Sequence, residues 1–174
     1  MAIILGIDPG SRKCGYGVIS SVGSRLQYLS CGTIRIEHLE FSDRLQVIFT
    51  TLCEIIDEYQ PQFAAIEEVF VGKSAASALK LGQARGAAMV ACSSRKLEIH
   101  SYATRKVKLA VVGSGSAEKA QMQHMIKALL KLSETPGEDA ADALSVALCH
   151  AHTQHSLLRM AGVRTSRRGR LLGF

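Results

Sequence analysis

The chain has 174 residues, enough for one domain with a single well-filled core. Hydrophobic residues make up 47% and charged residues 21%, and no stretch approaches the ~18 uninterrupted apolar residues of a membrane span, so the composition is that of an ordinary globular domain. The formal charge is +6, and its distribution is uneven: no acid follows Asp142, whereas Arg159, Arg164, Arg167, Arg168 and Arg170 do, a pattern that fits either a polyanionic partner or a solubilising tail.

The run Ile3-Ile4-Leu5-Gly6-Ile7-Asp8 reads as a strand buried on both faces that stops at a carboxylate, with Pro9 and Gly10 turning the chain. Residues 14–20 form a second strand folded back as a hairpin, and 26–36 a third, giving an antiparallel meander. Gly15 and Gly17 share one face of the second strand. That bare face either admits a bulky group beside Asp8 or reflects flexibility or sheet packing. Ser42 is the expected cap of a helix whose apolar face is Leu45, Ile48, Leu52, Ile55, Ile56 and Tyr59, with Pro61 ending it. A short buried strand, Phe63 to Ile66, again ends in acid, at Glu67 and Glu68. Residues 74–94 predict a long helix whose small residues suit close helix packing, 97–101 a strand and 103–111 a short helix. Ser116, closing a Gly-Ser loop, is the expected cap of the next helix, with an apolar stripe of Met122, Met125, Ile126, Leu129 and Leu130. After Pro136-Gly137 a last helix runs to about His152 or beyond. The order implies a mixed sheet covered by helices on both faces. A domain at 1–155 and a basic, flexible tail at 156–174 are expected.

Packing does not explain three groups of acids: Asp8, Glu67, and the pair Asp139 and Asp142. The i, i+3 spacing of the pair puts both carboxylates on one helical face, ~5–6 Å apart at Cβ, among alanines and a leucine. Asp139 by itself also suits the helix dipole. If the four acids converge, their charges raise one another's pKa, and a divalent cation is the natural neutraliser. An all-oxygen donor set favours Mg²⁺ or Mn²⁺ over zinc. Four carboxylates can hold two such ions ~3.5–4 Å apart, as in-line phosphoryl transfer uses them. Lys119, and the cluster of Arg105, Lys106 and Lys108, suit a phosphodiester substrate or a solvated surface. The five cysteines are scattered and never in CxxC spacing, against a disulfide framework or a zinc site. The N-terminal apolar run is too short for a signal peptide and lacks a basic lead, so a cytoplasmic location is expected.

The segments Gly6-Ile7-Asp8-Pro9-Gly10, Ile66-Glu67, Leu79-Lys80-Leu81-Gly82-Gln83-Ala84-Arg85-Gly86, Val111-Val112-Gly113-Ser114-Gly115-Ser116-Ala117-Glu118-Lys119 and Asp139-Ala140-Ala141-Asp142-Ala143 together resemble the RuvC family of Holliday junction resolvases, in order over about residues 1–150. The resemblance implies a ribonuclease-H-like α/β fold and a homodimer. It implies paired symmetric nicks at four-way DNA junctions, in recombination and repair, alongside branch-migration machinery of the RuvA and RuvB type. It assigns Asp8, Glu67, Asp139 and Asp142 as catalytic acids holding two Mg²⁺ ions, with Mn²⁺ able to substitute. It places Lys108 and Lys119 near the scissile phosphate and Phe70 against bases at the junction centre. Glu68 departs from the Gln that relatives often carry after the catalytic glutamate.

Two other classes compete. Actin-like phosphotransferases also open with a strand ending in Asp-x-Gly, but they need two such domains. A non-catalytic nucleic-acid-binding module suits the charge, but acids in a DNA-facing cleft repel phosphate unless a cation is present.

Overall fold

The computed structural model describes residues 1–69, 74–160 and 162, with the backbone of 164–165 and 171–172. Five strands, β1 (Ala2–Asp8), β2 (Lys13–Val22), β3 (Arg25–Arg35), β4 (Phe63–Glu67) and β5 (Glu98–Tyr102), form one sheet in the order β3-β2-β1-β4-β5. The meander pairs antiparallel, and β1, β4 and β5 run parallel. The helices are α1 (Phe41–Tyr59), α2 (Ala75–Ser94), α3 (Thr104–Val112), α4 (Lys119–Leu130) and α5 (Glu138–Met160). The two-residue strands β6 (Arg164–Thr165) and β7 (Leu171–Leu172) pair antiparallel.

Strand periodicity divides the core in two. Leu5, Ile7, Ala64 and Ile66 point toward α1 and α2, where Ile48, Leu52, Ala84 and Ala88 meet them. Ile4, Ala65 and Tyr102 point the other way, toward Val107, Met122, Ile126 and Leu144 of α3, α4 and α5. The central strand is buried on both sides, as its unbroken apolar run predicts: Ile4, Leu5 and Ile7 are fully buried.

On the α5 side the sheet is hollowed by glycine. Gly6 pairs with Gly17 and Asp8 with Gly15, and cross-strand partners share a face. A Cβ at Gly15 would lie 2.0 Å from the Asp139 carbonyl oxygen, one at Gly6 2.1 Å from that of Ala143, and one at Gly17 2.7 Å from the Leu144 side chain. The bulky group admitted by the bare face is therefore the backbone of α5. Small residues on the helix complete the fit, with Ala140, Ala143 and Ala147 all buried.

Two helix starts differ from the expected ones. α1 begins at Phe41 after Glu40, so Ser42 lies inside the first turn. The entry is set instead by Arg44, whose guanidinium donates to the carbonyls of Leu39, Ser11 and Glu37 at 2.8–3.0 Å. α4 begins at Lys119 after Glu118, whose N–H donates to the Gln121 side chain at 3.0 Å, while Ser116 shares a hydrogen bond with Ser114 at 3.1 Å. Reciprocal bonds, each side chain accepting from the other residue's backbone N–H, join Glu118 and Gln121 and close the helix end two residues after the serine. α5 continues through Met160, so residues 156–160 are helical. His150 lies deep in α5, 1% exposed, its Nδ1 sharing a hydrogen bond with the Tyr102 hydroxyl at 2.8 Å.

Gly15→Ala drives a methyl group into the α5 backbone and is expected to cost about 3 kcal/mol or more in urea unfolding, the upper end of overpacking. Gly137→Ala, where a Cβ meets nothing within 4 Å, is expected to stay within about 0.5 kcal/mol.

Candidate active site

Asp8 ends β1, and Glu67 ends its parallel neighbour β4. Gly6 is paired with Ala65, which points to the α5 side, so Asp8 and Glu67, each two residues further on, face that side as well. Asp139 and Asp142 come down on α5, which the glycine trough seats against the same strands. All four carboxylates are half-buried, at the end of the sheet where the interior strands β1 and β4 stop. This is the end of a parallel pair at which α/β folds place their chemistry.

Two of the acids, Asp8 and Asp142, feel the charge of their neighbours. Burial, then Glu67, Asp142 and Asp139 in that order, push the Asp8 carboxyl from an ordinary 3.8 up to about 8, against the opposing pull of Lys119. Burial raises Asp142 to about 6, with Glu67 and Asp139 adding to it and Lys119 and Lys108 opposing. The two lysines thus act on the acids across a common cleft of about 150 Å³, lined by Glu67, Thr104, Lys108, Lys119, Met122 and Asp142 among others. Lys119 also pairs with Glu138 at the rim of α5. Asp8 and Glu67 line an adjoining cleft with Pro9, Glu68 and Leu81. Asp139 lines a third, beside Gly10, Arg12 and Lys13.

Of the two neighbouring glutamates, Glu67 turns inward. The Thr104 hydroxyl donates to its Oε1, and Arg85 of α2 donates from Nε to its backbone oxygen at 3.3 Å. Arg85 also reaches the Ser101 hydroxyl at 2.7 Å, tying the ends of β4 and β5 together. Glu68 is exposed, and its N–H donates to the Tyr102 carbonyl at 2.9 Å. Neither Thr104 nor Arg85 is marked as a site residue by sequence pattern, because both bonds join residues distant in the chain. Phe70 lies outside the described residues. Among the basic cluster, Lys108 faces the cleft, whereas Arg105 and Lys106 are exposed and the Lys106 ammonium sits 4.9 Å from the centre of the Tyr102 ring. The five cysteines are free thiols, four of them buried, as their scatter predicts.

Among the described residues no trio of His, Cys, Asp or Glu side chains is arranged to close on one ion. The chemistry of the set nevertheless fits a hard divalent cation. It is all oxygen, it draws on three separate elements, and burial together with neighbouring carboxylates raises Asp8 and Asp142, the setting in which a hard cation is favoured.

A five-stranded mixed sheet of this order, with acids gathered from its first strand, its fourth strand and its last helix, defines a nuclease-type ribonuclease-H-like protein. A family model described as "Crossover junction endodeoxyribonuclease RuvC" matches residues 4–150. The chain belongs to the RuvC family. It is 60% identical to the crossover junction endodeoxyribonuclease RuvC of Teredinibacter turnerae, over 98% of this chain and 99% of that one. To the same protein of Saccharophagus degradans it is 57% identical, over 99% and 100%. Its fold is similar to that of Thermus thermophilus RuvC in complex with a Holliday junction substrate, with a TM-score of 0.84 and 29% identity over 90% of this chain and 96% of that one. The yeast mitochondrial Holliday junction resolvase Ydc2 shares the fold at 13% identity and a TM-score of 0.61, over 91% of this chain and 83% of that one.

The raised Asp8 value has a signed consequence for stability. A carboxyl whose folded pKa exceeds its unfolded one folds more readily protonated, so the metal-free protein loses stability as pH rises from about 4 to about 8. Asp8→Asn is expected to raise the unfolding free energy of the metal-free protein at pH 8, by on the order of a few kcal/mol. The gain should shrink toward zero by pH 4, as read by urea titrations across that range.

Proposed function

We propose that this chain resolves four-way DNA junctions by paired symmetric nicks, as an Mg²⁺-dependent endodeoxyribonuclease acting in recombination and repair. What supports this reading is that Asp8 and Asp142 each feel the charge of Glu67 and Asp139, beside a cleft that Lys108 and Lys119 line. In this reading the four carboxylates hold two Mg²⁺ ions, and Mn²⁺ can replace them. Ions bound there supply activation of the attacking water and charge stabilisation at the leaving oxygen. The chain's own residues do the rest. Lys108 and Lys119 draw the scissile phosphate into the cleft and offset its charge against the acids. Asp8 is fixed by its buried strand, so the remaining acids are brought to it rather than it to them. Phe70 stacks on bases at the junction centre, where such a contact contributes ~1–3 kcal/mol.

The same proposal takes the protein to be a homodimer with α2 as its contact. Leu79 and Val90 are 67% and 59% exposed on this helix, and Gly82 and Gly86 have open space where a Cβ would stand. That gives an apolar face flat enough for close approach of a second helix. A two-fold dimer presents one site to each of two symmetric strands. Branch-migration machinery of the RuvA and RuvB type is its functional partner, and the cytoplasm its location. No described helix is long and apolar enough to cross a membrane.

A synthetic four-way junction and a matched duplex, each with and without Mg²⁺, test this directly. Symmetric nicks confined to the junction, and dependent on Mg²⁺ or Mn²⁺, are expected. Asp142→Asn is expected to keep junction binding in a gel-shift assay and to lose cleavage by more than the ~10–100-fold that removal of an outer partner costs. Lost binding would make Asp142 structural.

A further inference from the structure

Glu67 is held at two points, and the two do different things. Its main chain is held by Arg85, which bonds the backbone oxygen from α2 and the Ser101 hydroxyl from β5. Its carboxylate is held by Thr104 alone among the side chains described, through Oε1. Thr104 is the first residue of α3, and the capping position before it is Ala103, which offers no side-chain acceptor for the helix N–H groups. A threonine near a helix start ordinarily spends its hydroxyl on nearby backbone. Here the hydroxyl is given to a carboxylate 37 residues away. Thr104 and Glu67 line both the lysine cleft and the Asp8 cleft, so their bond sits on the wall between them.

We propose that Thr104 is a positioning residue for the Glu67 carboxylate: its hydroxyl takes one oxygen, so that the other is presented between Asp8 and Asp142 as a single-oxygen donor. The proposal rests on the cation-site reading above and deepens it. A carboxylate without this anchor rotates freely and is repelled by Asp8 and Asp142, both of which feel its charge. Each cation bound must then offset the ordering of Glu67 as well. Because Arg85 fixes the strand end independently, removal of the Thr104 hydroxyl releases the carboxylate and leaves the backbone in place.

The test is a calorimetric titration of the DNA-free protein with Mn²⁺, read beside the Mn²⁺ dependence of junction nicking. Thr104→Val keeps the side-chain shape and removes the donor. It is expected to weaken Mn²⁺ binding ~10-fold or more, the range for loss of an outer partner. Thr104→Ser keeps the donor and is expected to restore binding to near the parent value. Thr104→Ala serves as a second hydroxyl-free variant if Thr104→Val unfolds, checked by urea midpoint. In a Glu67→Gln background Thr104→Val is expected to add little, since the hydroxyl acts through that carboxylate. Unchanged Mn²⁺ binding in the folded hydroxyl-free variants overturns the role of Thr104 and leaves the cation site standing. An undiminished effect of Thr104→Val in the Glu67→Gln background also overturns it, making the residue structural. An unaltered parent protein that binds no Mn²⁺ overturns both readings together.

Discussion

The seating of α5 in a trough of glycines is the contact on which everything else in the molecule depends. Three glycines from two adjacent strands, Gly6, Gly15 and Gly17, let the helix backbone come closer to the sheet than any side chain would allow. Close approach and the placement of the acids are one event. The Asp139 carbonyl rests over Gly15, and Gly15 is the cross-strand partner of Asp8. A helix held farther off by ordinary side chains would leave Asp139 and Asp142 remote from the strand ends. Core packing and site assembly therefore share the same atoms, and neither can be altered alone.

This arrangement has an electrostatic cost that the fold must bear. Like charges are brought together in half-buried positions, and Asp8 answers by taking up a proton well into the neutral range. Buried charge of one sign is unfavourable by itself, so the apolar contacts of α5 hold the carboxylates together against their repulsion. Leu144, Val146 and Leu148 are all fully buried on that helix. Lys119 and Lys108 reduce the repulsion. A site built in this way suits a cation: the repulsion among its acids is what attracts a positive charge.

Much of this could be read from the chain because the signals were local. The apolar run of β1 had to be a buried central strand, and a carboxylate at its end had no packing role. The spacing of Asp139 and Asp142 placed both on one face without knowledge of the fold. Other features depend on partners far away in sequence. Ser42 and Ser116 have the chemistry of caps, but α1 is anchored by Arg44 reaching across to Ser11, and α4 closes on the Glu118–Gln121 pair. The Gly15-Gly17 face announced a close neighbour without naming it, since only tertiary packing shows that α5 fills it. The bond from Thr104 to Glu67 is invisible to any pattern search, because a threonine after a strand has many ordinary uses.

The order of the elements along the chain gives the glycine trough a consequence in time. Its floor is made from the first strands synthesised, and its occupant is the last helix. Domains generally fold as units while synthesis proceeds from the N-terminus. Until residues beyond 138 are available, β1 and β2 present an uncovered apolar face and Asp8 has only Glu67 for company. A nascent or truncated chain thus carries two of these four acids, and they are joined by the other two only as the fold closes. The gathering of the acids therefore waits on the helix that fills the trough: a chain stopped short of α5 has the trough but not the full carboxylate set.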